Sequence, residues 1–414
     1  MPPEPIVLRE LEERYLSLQP SEADLLLRRH STQIVLTPVH GSTSQWLIRP
    51  VHCCGVIALP TGRALFIEPK ATIANLWRLL VTAYDLVELG EERVRLQTSG
   101  ELLLSLAAIF VRRCEDIITG GLLHGYRSRA DDLRALRGRL DVIASLRRPP
   151  ANRHRLPCRY DEFTVDVPEN RLLHWALHLV GGLRCAGRLG WLRDRVHECL
   201  AHMTMVPLVP ATATDFAGLR FHSLNRHYRT PLALAELLVS SLGITHRPGR
   251  SEMPPLLLDM PSVFERFVRG LLQGELTPAG LRVRYCAHGR MLDEAGRLAL
   301  LPDVLVTRRQ TPACVVDAKY KLAGARSSPL DASDVYQMLA YCVAYEVSDA
   351  VLVYPEPLRG GADAAADPLT ISRAGVAARI HTVGVDLSGD EKDFERECRR
   401  LCEIVSGVAL PTHA

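Results

Sequence analysis

The chain has 414 residues, 47% of them hydrophobic and 23% charged, which is enough for two or three packed domains and excludes a mainly disordered protein. Its formal charge of +3 is close to balance, so any charge-driven affinity must be local. No apolar run reaches the roughly 18 residues of a membrane span, and the opening MPPEPIVLRELEER carries acids where a signal peptide needs a basic and then apolar stretch, so a cytoplasmic location is expected.

In chain order, Gln33–Thr37 and Trp46–Arg49 predict strands, and Gly55–Pro69 predicts two strands joined through Pro60-Thr61-Gly62. Thr72–Tyr84 then sets Ile73, Leu76, Leu79, Leu80 and Ala83 at helical spacing. This reads as a small β-rich N-terminal domain, residues 1–105. A mainly helical middle region, 106–255, follows, with helices at Leu102–Thr119, Glu169–Gly181, Trp191–Met203 and Pro231–Leu242. Asp166, Pro168 and Glu169 mark the start of the second of these. Breaks fall at 147–157 and 247–255, and the second is the better domain boundary. Residues 360–367, rich in Gly, Ala and Asp, predict a surface loop.

From 256 to 414 the order changes. A helix (Ser262–Gln273) leads into strands at Arg282–Ala287, Leu298–Val306 and Ala313–Tyr320, then a helix (Ala332–Glu346) and a strand (Ala350–Tyr354). That order predicts an α/β layer with a mixed sheet, and an α+β multidomain protein as a whole.

Asp303 opens PDVLV, and Asp317 and Lys319 lie in VVDAKYK, each on an apolar β-type run. Residues two apart on a strand face the same side, so Asp317 and Lys319 project together, and a neighbouring strand can bring Asp303 beside them. Two carboxylates so placed suit a hard cation such as Mg²⁺, with Mn²⁺ as a substitute, completed by waters and a substrate phosphate. The lysine can orient or deprotonate the attacking water and neutralise charge developing on phosphorus. Glu265 in PSVFERF offers a third carboxylate, and Gln337 and Tyr341, four apart in DVYQMLAYCVAY, share one helix face. A lone D-x-K is more often a structural ion pair; the accompanying residues favour phosphodiester hydrolysis. Only four of the 50 basic residues are lysines, two of them Lys319 and Lys321.

The order Glu, PD, D-x-K, Q-x-x-x-Y resembles the PD-(D/E)xK nuclease superfamily in its RecB-like branch. Adding GVIALPTGRALFIEPK, LRGRLDV and YDEFTVDVPENRLLHWAL, the chain resembles the McrC family, nuclease subunits of McrBC modification-dependent restriction systems, over nearly its whole length. The resemblance implies a C-terminal PD-(D/E)xK nuclease domain with Asp303, Asp317 and Glu265 as metal ligands, Lys319 as the catalytic cation, and Gln337 and Tyr341 positioning DNA or the lysine. It also implies a separate AAA+ GTPase that recognises modified double-stranded DNA and whose hydrolysis this subunit stimulates. A homodimer inside a larger complex is one arrangement it allows. Docking on that partner would fall to residues 1–105, with Pro60–Arg63 as the exposed tip. The chain carries no G-x-x-x-x-G-K-[ST], so nucleotide hydrolysis would need another polypeptide. A free-standing repair nuclease and a non-catalytic DNA-binding activator of a GTPase are the alternatives.

Between Arg112 and Arg159 twelve arginines face five acids, and Arg134, Arg137 and Arg139 are candidate contacts to DNA phosphates, against a solvated, internally paired face as the other reading. His174 and His178, one helical turn apart, lack the glutamate of H-E-x-x-H and predict packing rather than a metal site. Cys398 and Cys402 predict core positions, as do most of the eleven cysteines, which include no C-x-x-C pair. Asn170 and Arg171 predict capping or packing, and Lys70 a surface position.

Overall fold

The computed structural model describes residues 5–42, 44–89, 98–147, 149, 154–183, 190–243, 256–285, 289–321, 331–355, 368–373 and 376–410. The predicted loop 360–367 and the whole of the 247–255 break lie outside these residues. The chain forms two compact units: Met1–Ser105 with Pro255–Ala414, and Leu106–Pro254. The first hundred residues and the last hundred and more, separate domains in the sequence reading, are thus grouped in one unit. Overall it is a mixed α+β protein with several sheets.

The first unit begins with β1 (Ile6–Arg9), β2 (Arg14–Ser17), α1 (Pro20–Arg29), β3 (Ile34–Pro38), β4 (Gln45–Pro50), β5 (Cys53–Ala58), β6 (Ala64–Glu68), α2 (Ile73–Ala83) and α3 (Ser99–Gly120), the last running on into the second unit. β2-β4-β3 form one antiparallel sheet. The expected hairpin is β5–β6, paired from Gly55↔Ile67 to Ala58↔Ala64. Its tip leaves Pro60 and Gly62 exposed, while the Thr61 hydroxyl and Arg63 Nε (2.9 Å) both donate to Glu22, a fully buried residue of α1. α2 starts at Thr72, whose side chain accepts from the Asn75 N–H, and buries Leu76, Leu79 and Leu80 as the spacing predicts.

The second unit holds β7 (Gly125–Leu133), β8 (Arg139–Leu140), α4 (Val142–Leu146), β9 (Leu156–Thr164), α5 (Pro168–Gly181), α6 (Gly190–His202) and α7 (Arg229–Gly243). The expected helices are present, but so is a three-stranded antiparallel sheet, β7-β9-β8, in a region read as mainly helical. β7 reads GYRSRADDL, polar at most positions and largely exposed, so it lacks the apolar alternation that signals a half-buried strand. α5 starts at Pro168 with Glu169 in its first turn, as the sequence signals; Val167 holds the N-cap position without a side-chain cap bond, and the Asp166 carboxylate pairs with Arg127 and Arg171.

The chain returns to the first unit through β10 (Leu256–Asp259), which pairs antiparallel with β5 and completes the sheet β1-β6-β5-β10. Leu257 joins the core of Leu8, Ile34, Ile48, Leu65 and Ile67. Gly55 permits this approach: its φ is +137°, and a Cβ there would stand 2.1 Å from the Leu256 carbonyl oxygen. There follow α8 (Met260–Leu276), β11 (Leu281–Arg284), β12 (Arg290–Met291), β13 (Ala299–Leu300), β14 (Val304–Arg308), β15 (Thr311–Ala318), α9 (Ala332–Tyr345), β16 (Asp349–Tyr354), β17 (Leu369–Arg373), β18 (Val376–Gly384) and α10 (Glu391–Ala409). The sheet order is β11-β14-β15-β16-β18-β17, parallel at β15-β16-β18 and antiparallel elsewhere, the mixed sheet expected. β12 and β13 form a separate hairpin, so the single strand predicted over Leu298–Val306 is broken just before Asp303.

α9 packs on the sheet face of Val315, Ala350, Leu352 and Ile380. The alternate residues Val316, Val351 and Val353 are buried too, as a sheet covered on both faces requires. α8 and α10 pack against β15 and against each other, with Phe267 and Phe394 ring centroids 5.7 Å apart.

Candidate active site

Three adjacent structural features bring Asp303, Asp317 and Lys319 together. The β14–β15 register pairs Val304 with Val316, so Asp303, one residue earlier, lies beside Asp317. The Asp303 carboxylate accepts the Ala318 N–H at 2.8 Å, which ties the end of one strand to the other. Lys319, just past β15, reaches back so that its Nζ is 2.6 Å from Asp317 Oδ2, while Ala318 between them is buried. The alternation argument therefore holds, although the strand itself ends at Ala318.

Glu265 and Arg269 approach from α8. That helix buries Met260, Val263, Phe264, Phe267, Val268, Leu272 and Leu276, leaving Glu265 half-buried at the margin of the stripe. Burial raises the Glu265 carboxyl above the usual range, and the charges of Asp317 and Asp259 add to it. Burial, then Asp317 and Glu265, likewise pushes Asp303 well above the carboxylate range, and burial raises Asp317 against the pull of Lys319. The three carboxylates thus feel one another in a poorly solvated place, the arrangement that a cation relieves.

α9 supplies the other expected pair. Gln337 Nε2 donates to the Tyr341 hydroxyl at 2.9 Å, and that hydroxyl donates to the Leu301 carbonyl at 2.9 Å, two residues before Asp303. Tyr341 therefore secures the segment carrying Asp303. Among the described residues no group of three or more His, Cys, Asp or Glu side chains is arranged to hold a metal ion, so Glu265 is not part of a preformed three-carboxylate cage. Two carboxylates with hard oxygens do fit Mg²⁺, which takes one or two carboxylates and fills its remaining positions with water and phosphate.

The other sequence candidates separate cleanly. Arg127 and Arg129 pair with Asp166 and Glu162, and Arg159 pairs with Asp141, so internal pairs offset part of the local positive excess. Arg134, Arg137 and Arg139 are exposed, and the Arg137 guanidinium lies 4.0 Å from the Tyr160 ring centroid. His174 Nδ1 bonds the Val206 carbonyl at 2.9 Å, and burial lowers its pKa. Asn170 is a packing residue: its amide donates to the Leu123 and Val165 carbonyls, and its oxygen accepts from Tyr228. Cys398 and Cys402 are buried in α10, and burial pushes both thiols up to about 12. All nine described cysteines are free and buried. Lys70 is half-buried with its amine 5.6 Å from the Tyr320 ring centroid, not the surface lysine expected.

A family model described as "McrBC 5-methylcytosine restriction system component" matches residues 48–355, more than half of the chain. The chain belongs to this McrBC family. It is similar over 97% of its length, at 18% identity and a TM-score of 0.50, to all of a chain in the refined half-complex from a tetradecameric assembly of Thermococcus gammatolerans McrB AAA+ hexamers with bound McrC. A chain of the Thermococcus gammatolerans McrBC complex is 18% identical, with 66% of this chain and 88% of that one covered and a TM-score of 0.42. No curated protein matches the sequence. No described helix is long and apolar enough to cross a membrane.

Around the candidate site, this McrBC family member contains residues that sequence reasoning missed. Arg269, one turn after Glu265, lies over Tyr285 at 5.0 Å; burial and Arg266 lower its pKa, while Asp303 and Glu265 oppose them. The i, i+4 spacing of Glu265 and Arg269 is the sequence signal that could have found it. Lys321 bonds Asp331 (2.9 Å) and Asp334 (2.9 Å) at the start of α9. Asp334 is buried and also accepts from the Tyr354 hydroxyl at 2.8 Å.

Proposed function

We propose that this McrBC component is the McrC-type subunit: a Mg²⁺-dependent endonuclease of the PD-(D/E)xK kind that cuts modified double-stranded DNA and acts with a separate AAA+ GTPase. The observation that carries the reading is the convergence of Asp303, Asp317 and Lys319 at the adjoining ends of β14 and β15. The partner is supported by the solved structures similar to this chain, described as McrB AAA+ hexamers with bound McrC.

On this reading Asp303 and Asp317 hold the cation, Mg²⁺ or Mn²⁺, with Glu265 as an auxiliary carboxylate. The cation supplies Lewis-acid chemistry to the phosphodiester. Lys319 directs its ammonium at the phosphate oxygens, where it stabilises charge that develops as water attacks in line with the leaving 3′ oxygen. Asp317, already in contact with Lys319, keeps that amine on the site. Tyr341 and Gln337 hold the Leu301–Asp303 segment in register, and Arg134, Arg137 and Arg139 contact phosphates.

The decisive test is cleavage of 5-methylcytosine plasmid by the chain reconstituted with its GTPase, GTP and Mg²⁺. Asp303→Ala and Asp317→Ala are expected to abolish cutting and to leave partner association unchanged. Wild-type cutting by either variant removes the site assignment.

A further inference from the structure

Lys319 is followed by two residues that are each anchored to a buried carboxylate on a different element. Lys321 is held by Asp334 of α9. Tyr320 is held from the N-terminal part of the same unit, where its hydroxyl donates to Glu10 Oε2 at 2.9 Å. Glu10 directly follows β1, is 5% exposed, and has its own N–H bonded to the Glu68 carbonyl at 2.8 Å. The tyrosine ring is buried as well. It packs 5.8 Å from Phe264, the neighbour of Glu265, and 6.1 Å from His52, edge to face.

The backbone makes this anchorage consequential. The Lys319 N–H still reaches the Val353 carbonyl at 2.8 Å, but the Lys321 N–H folds back on the Lys319 carbonyl at 2.9 Å, a three-residue turn with Tyr320 at its apex. Such a turn is a slight fixture by itself. The lysine it carries has to be held within about half an ångström of its working position. Fixing the apex side chain fixes the turn, and through it the lysine.

We propose that Tyr320 is a positioning residue for Lys319, and that its bond to Glu10 makes the hydrolytic lysine depend on the N-terminal strand; this rests on the nuclease reading above. The variant Tyr320→Phe removes only the hydroxyl. In single-turnover cleavage of 5-methylcytosine DNA by the full chain with its AAA+ partner, it is expected to slow the reaction by about ten- to a hundredfold. The half-saturating DNA and Mg²⁺ concentrations stay unchanged and the chain still melts cooperatively. Glu10→Ala gives the same loss, and Glu10→Gln, which keeps an acceptor, restores most of the rate. In a Lys319→Ala background Tyr320→Phe costs nothing more, because it acts through that lysine. Independently of activity, hydrogen exchange of the peptide 316–321 rises in Tyr320→Phe. A wild-type rate, a further loss in the Lys319→Ala background, or unchanged exchange in that peptide overturns the proposal. Wild-type cutting by Lys319→Ala overturns the nuclease reading itself and is told apart by that single variant.

Discussion

At the scale of single residues, Asp303 and Asp317 differ from Lys319 in what their loss removes. On the proposed function the carboxylates would be the donors to a cation, whereas the ammonium would act on charge that exists only in the transition state. Lys319→Ala is therefore expected to leave Mg²⁺ affinity nearly intact and to slow hydrolysis by about two orders of magnitude or more, the scale for removing one transition-state stabiliser. Calorimetric Mg²⁺ titration beside single-turnover rates checks this, and a loss of affinity with an unchanged rate contradicts it. The trio was legible in the sequence because chemistry restricts it to few residue types at short spacing. Glu10 and Tyr320 were not, because a bond across 310 positions leaves no local pattern.

Elements show where side-chain pairing decides stability and charge. Asp349 at the head of β16 is buried, which would raise its carboxyl, yet hydrogen bonds from His381, Arg379 and Ser348 hold it down to about 2. The folded value lies below the unfolded 3.8, so the stabilisation is fully present above 3.8 and is lost as pH falls through about 2. Asp349→Asn is expected to lower the melting temperature at neutral pH, and the gap to wild type should narrow as pH falls toward that lower value. A gap constant with pH means the ion pairs contribute nothing. In the β7-β9-β8 sheet, Arg127, Arg129 and Arg159 are engaged in internal pairs. Reversing the charge of exposed Arg134, Arg137 and Arg139 together should weaken DNA binding and flatten its salt dependence. An unchanged slope of log affinity against log salt assigns these arginines to the solvated face.

For the molecule as a whole, the discontinuous first unit changes how partner docking can be tested. Deleting residues 1–105 removes β5, the partner of β10, and uncovers Leu257 in a shared core. The remaining fragment is expected to lose cooperative thermal unfolding; a sharp transition from residues 106–414 alone would show that the C-terminal part folds independently. Point substitution is the cleaner probe of docking, which the resemblance assigns to this segment. Tyr15, 67% exposed on the β2-β4-β3 sheet, is suited to it, and Tyr15→Asp should reduce stimulation of the partner's GTP hydrolysis. Undiminished stimulation places docking elsewhere.

Local signals in the amino-acid sequence were enough for the β5–β6 hairpin, α2, α5 and the β14, β15, α9, β16 run with its Asp, Asp and Lys. Each is specified by contacts within a few residues or by alternation on one strand. What tertiary structure alone decided is long-range. β10 completes a sheet by pairing with β5, far back in the chain, and it can do so because Gly55 lacks a Cβ. Arg129 of β7 found an ion-pair partner on β9 only once antiparallel pairing placed it opposite Tyr160, near Glu162. Lys319 acquired a turn braced from β1 and α9 for the same reason: the partners of a buried polar group are chosen by packing, and packing brings together residues that have no fixed spacing in the chain.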